Sequence, residues 1–87
     1  MRDVEQTTVE RATLERATEL ALSFLGSLDT APVAATASLA ELRRRFALPL
    51  PDEGVDPVTV IEELARDAEG GLIGSAGGRF FGWVIGG

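Results

Sequence analysis

Three stretches of this chain carry side chains whose type and spacing could do chemistry. Glu62, Glu63 and Asp67 gather carboxylates in one short segment, the residue type used for acid–base work. Gly74-Ser75-Ala76-Gly77-Gly78-Arg79 sets a guanidinium behind a glycine-rich turn, the makings of a nest of backbone amides around an anion. Arg43, Arg44 and Arg45 put three positive charges side by side. Each stretch also has a plainer reading, which its surroundings favour. The carboxylates fall on a capped amphipathic helical pattern and form its wet face. The glycine loop lacks the Lys of a phosphate-binding P-loop and reads as a flexible turn. Three arginines on an acidic chain are too few for a nucleic-acid patch and read as a solvated helix face or an intersubunit salt-bridge cluster.

The residue types that are missing narrow the chemistry further. The 87 residues contain no Lys, His, Cys or Tyr. That removes thiolate nucleophiles, Ser-His and Cys-His pairs, zinc fingers and imidazole-ligated metals. Without Lys there is no side-chain amine to condense with an aldehyde. No catalytic residue and no metal ligand set is assigned. The formal charge of −6 disfavours nucleic acid and anionic membrane surfaces, which draw their affinity from Lys and Arg. The first residues are charged and polar with no apolar run behind them, so no secretory signal is read. The glycine-rich stretch 70–87, interrupted by Arg79, falls short of the roughly 20 apolar residues of a spanning helix. With no cysteine for a disulfide framework, a cytoplasmic setting is the expectation.

Four elements must position these residues. Leu14, Ala17, Ala21, Leu25 and Leu28 recur at helical spacing and predict a helix over 7–28, with Thr7 and Glu10 as a capping box and the second half more buried. Residues 29–37, with Pro32, read as an extended connection. Ser38 and Glu41 form a second capping box for a short helix over 38–47, with Leu39, Leu42 and Phe46 as its apolar stripe. Residues 48–56, with Pro49, Pro51 and Gly54, read as a loop. Asp56-Pro57 opens a third helix, 57–69, whose buried face is Val60, Ile61, Leu64, Ala65 and Ala68, and Gly70-Gly71 ends it. Last comes Phe80-Phe81-Gly82-Trp83-Val84-Ile85, uncharged and β-prone, which predicts a strand over 80–85. The fold class expected is mainly α with one C-terminal β-strand, in a single unit over residues 1–87. An open β-prone strand at the end of a chain is an aggregation hazard, and Gly86-Gly87 directly behind it reads as a truncation.

The run Gly77-Gly78-Arg79-Phe80-Phe81-Gly82-Trp83-Val84-Ile85-Gly86-Gly87 is similar to the segment that closes the N-terminal region of group II pyridoxal-phosphate-dependent decarboxylases, the aromatic-amino-acid and glutamate decarboxylase type. Pro32-Val33, the short 38–47 helix, the Leu48-Pro49 loop and the Asp56-Pro57 helix recur in that family in the same order, so the resemblance covers the chain from about residue 14 to Gly87. It implies the N-terminal segment of a type I aminotransferase-like α/β enzyme, wrapped around the partner subunit of a homodimer. Pyridoxal phosphate and an amino-acid substrate would then belong to the full-length parent, and no cofactor is expected for this chain alone. Trp83, Val84 and Ile85 match positions that border the substrate pocket, and Phe80 and Phe81 look like packing residues in the same segment. Aromatic-substrate relatives often have Tyr-Phe-Pro-like residues where this chain has Trp83-Val84-Ile85, which leaves the substrate class open.

A second reading stands beside the first, that of a small self-contained helical module whose exposed strand adds to a partner's sheet edge. Under either reading a chain this short buries only about 60% of its unfolded surface. The apolar faces led by Leu25, Leu42 and Leu64 exceed what one small core can hide, so self-association is expected.

Overall fold

A computed structural model describes residues 3–82 of the chain. The architecture is mainly helical: α1 spans Val4–Ser27, α2 spans Leu39–Phe46 and α3 spans Pro57–Ala68. No strand occurs among the described residues. Of the predicted 80–85 strand, residues 80–82 lie outside any regular element, while Trp83, Val84 and Ile85 fall outside the described residues. β-propensity states how well side chains suit a pleated surface, but a strand also needs backbone groups paired along a ladder, and the Phe80 amide instead donates to Gly77 within its own turn at 3.3 Å.

Helix α1 begins three residues before the predicted 7–28 span, and its cap lies four residues before Thr7. Asp3 is the cap, and its carboxylate accepts from the Gln6 amide at 2.7 Å. The Thr7 hydroxyl instead donates to the Asp3 carbonyl at 3.1 Å, inside the first turn. An anionic cap also meets the positive end of the helix dipole, which a neutral threonine does not. The inward face differs as well. Ala17, Leu20 and Leu28 are partly covered, but Leu14 is 69% and Leu25 53% exposed. From Leu20 to Leu28 the helix is apolar on nearly every side, so periodicity alone does not choose which side packs.

Helix α2 is one residue shorter at each end than predicted. Ser38 caps it, its hydroxyl accepting from the Glu41 amide at 3.1 Å. The Glu41 carboxylate does not complete the box but pairs with Arg45 at 2.8 Å. Leu42 is partly covered, whereas Leu39 and Phe46 stand exposed. Helix α3 starts with Asp56 at the cap, accepting from the Thr59 amide at 3.4 Å, and Pro57 at the first helical position. Ile61 and Ala68 are partly covered, while Val60, Leu64 and Ala65 of the predicted buried face are exposed. Gly70, at φ 80°, supplies the left-handed residue just past the helix end.

Helix α3 is the centre of the arrangement. It packs on both α1 and α2, which do not touch each other. The connection after α1 and the segment after α3 run antiparallel. The Thr36 and Ala37 amides both donate to the Gly70 carbonyl, at 2.8 and 2.9 Å, and the Gly74 amide donates to Val33 at 2.8 Å. Hydrogen bonds, more than burial, hold this end of the molecule together. Among the described residues no side chain is fully buried.

Candidate functional site

Between these elements the described residues form a cleft of about 850 Å³. The second half of α1 forms one wall through Leu20, Phe24 and Leu28, and α3 forms another through Ala65 and Ala68. Pro32 and Leu72, from the two antiparallel segments, close one end. It is largely apolar, with charge at the mouth.

The charged residues lining the cleft are Arg16, Glu62, Arg66 and Glu69, and Arg16 makes the closest ties. Its Nε donates to Glu62 at 3.0 Å and an Nη to Glu19 at 3.0 Å, tying α1 to α3. The Glu19 hydrogen bond, and after it the one to Glu62, raises the guanidinium above the ordinary arginine pKa. A raised cation keeps its stabilising charge below the ordinary arginine value and loses it only as pH climbs past the raised one. On the arginine side the tie is therefore insensitive to pH across the neutral range.

Two further arginines bind backbone carbonyls at helix ends. Arg45, reaching across from α2, donates to Asp67 at 3.3 Å and to Glu69 at 2.5 Å, covering the C-terminus of α3. Arg79 donates to Leu28 at 2.7 Å and also to Ala31, covering the C-terminus of α1. Helix α1 has no basic residue in its own last turn, and carbonyls there attract a cation from elsewhere. That absence is legible in the sequence, but which arginine answers it is not.

The stretches with chemical potential come apart on this framework. Glu62 is paired with Arg16, Glu63 is exposed, and Asp67 lies 4.0 Å from Arg66, so no two of these carboxylates are assembled around a common point. No group able to hold a metal ion occurs among the described residues. The guanidinium of the glycine loop faces carbonyl oxygens, the opposite of an anion nest. Arg43 and Arg44 are exposed on α2 while Arg45 turns inward. Phe80 is partly covered, with its ring over Gly82, whereas Phe81 is 83% exposed. No helix among the described residues is long and apolar enough to cross a membrane.

Pyridoxal phosphate does not fit the residues present. The chain has no lysine to hold it covalently, and of the two arginines that line the cleft, Arg16 and Arg66, Arg16 already serves two carboxylates. No family model, curated protein or solved structure matches this chain.

Proposed function

We propose that this chain is the N-terminal, non-catalytic segment of a pyridoxal-phosphate-dependent amino-acid decarboxylase-like protein. Its role there is to form part of a homodimer interface and to carry an aromatic stretch, Trp83-Val84-Ile85, to the border of the substrate pocket. The type I aminotransferase-like fold, the cofactor, the amino-acid substrate and the cytoplasmic setting belong to the proposed parent. The similarity of the run from Gly77 to Gly87 supplies the family.

The observation that carries the reading is the open shape of the chain. Its radius of gyration is 16.6 Å, where a compact domain of this length has about 12 Å. Its accessible surface is 7172 Å², where a folded monomer of 9.2 kDa exposes about 4,900 Å². The surplus has the size of an obligate interface, and Leu14, Leu22 and Leu25 on α1 and Val60 and Leu64 on α3 are among the exposed apolar residues. A segment that docks on other parts of a large enzyme has this form. A self-contained module would hide its leucines.

The test is to read the coding DNA past the Gly87 codon and express the continuing frame. The expected product contains a lysine-bearing domain that binds pyridoxal phosphate and, after borohydride reduction, keeps it on that lysine. A stop codon immediately after Gly87, or a continuing domain that takes up no pyridoxal phosphate, rejects the proposal in favour of the interaction module.

A further inference from the structure

From Gly70 to Arg79 the segment after α3 is laid along the connection after α1. Gly70 meets Ala37, Gly74 meets Val33, and Arg79 reaches the Leu28 and Ala31 carbonyls at the end of α1. Pairing partners climb on one side as they descend on the other, like the two sides of a zipper. Small residues make this close approach possible. A Cβ on Gly77 would stand 3.4 Å from that of Leu28, and one on Gly74 3.5 Å from the Val33 Cα.

The two ends of the zipper differ in strength. At the Gly70 end the backbone is anchored twice, by Thr36 and Ala37, and Gly70 is wedged against Ala37. Beyond Gly74 the Arg79 guanidinium ties the segment across to the α1 side, while the amides of Gly77 and Phe80 bond within their own segment, to Gly74 and Gly77. The latch is exposed and rests on flexible, glycine-rich backbone. Yet α1 needs the cation, having none in its last turn.

We infer that residues 74–82 form a releasable strap latched by Arg79 to the C-terminus of α1. The strap opens as one unit from the Arg79 end while α2, α3 and the Gly70 anchor stay closed. Opening frees Phe80 and Phe81 and removes the Gly74 side of the apolar cleft, so Arg79 controls the direction in which the aromatic segment leaves the helices. This inference rests on the hydrogen-bond geometry alone and stands whether or not the chain belongs to a decarboxylase.

Native-state hydrogen exchange on the 87-residue chain tests it, comparing wild type with Arg79→Gln and with the control Arg44→Gln, at an exposed α2 position. In wild type, the Gly74, Gly77 and Phe80 amides open with a common free energy, lower than that of Ala37. In Arg79→Gln these amides, with Ala31, exchange about tenfold faster, the loss of protection that removing a carbonyl-binding guanidinium entails, while Ala37 and Gly71 change by less than about twofold. Unchanged protection at Gly74 and Phe80 in Arg79→Gln overturns the latch. Equal acceleration at every amide, up to complete loss of protection, overturns it too, because Arg79 would then hold the whole fold. The same acceleration in Arg44→Gln assigns the effect to net charge and overturns it as well.

Discussion

Two glycines show how far the role of a residue depends on its surroundings. Gly70 sits at φ 80°, and an added Cβ would lie 3.0 Å from both the Ala37 Cβ and the Thr36 hydroxyl. Gly70→Ala thus combines a left-handed penalty with a collision and should cost about 2 kcal/mol in chemical denaturation. Gly26, inside α1, has nothing within 4 Å of its would-be Cβ. Gly26→Ala should raise stability by about 0.5 kcal/mol or leave it unchanged, because alanine gives up less backbone entropy in a helix. Similar losses at both sites would show that the turn after α3 is not the tight one described. The absence of lysine also acts at this scale. Incubated with pyridoxal phosphate and borohydride, the chain should acquire no label on any side chain, and peptide mapping that finds one would contradict this.

Helices behave differently according to length. At 24 residues α1 can sustain partial helicity alone, whereas α2, at eight, is too short to persist without its cap and its tie to α3. Ser38→Ala removes the acceptor for the Glu41 amide and should cost about 1 kcal/mol. Its effect should be concentrated in α2, read as faster exchange at the Leu42 and Ala47 amides with little change in α1. Arg45 is the other support of this helix, since it joins Glu41 to the α3 carbonyls. Arg45→Ala should cost about 1 kcal/mol and loosen α2 and the end of α3 together. If α2 alone loosened, the contact with Asp67 and Glu69 would be idle.

For the molecule as a whole, the extents of 50 × 29 × 26 Å and the exposed leucines leave apolar surface in search of cover. At micromolar concentration the chain should sediment as a dimer or larger species. Leu25→Glu, on a helix position 53% exposed, should weaken that association about tenfold while preserving helical circular dichroism. A compact monomer with no dye-accessible apolar surface would contradict both this and the docking-segment proposal.

How much of this was legible beforehand follows from the range of the interactions involved. Local chemistry was readable: Ser38 and Asp56 as caps, Pro57 at the first helical position and Gly70 as terminator all act within a few residues, so the sequence contains both partners of each contact. The absence of Lys, His and Cys side chains is likewise read from composition alone. The cap of α1 was misplaced because Asp3 and Thr7 are both suitable acceptors, and charge favours the earlier one. Tertiary structure alone decided which side of α1 turns inward, since apolar residues lie on nearly every side of its second half and only the position of α3, tied through Glu62 to Arg16, breaks the symmetry. It likewise decided that Arg45 and Arg79 reach carbonyls 22 to 51 positions away, and that residues 80–82 form no strand. The physical reason is the same in each case: a long flexible side chain or a β-prone segment has many possible partners, and only the folded chain brings one of them within hydrogen-bonding distance.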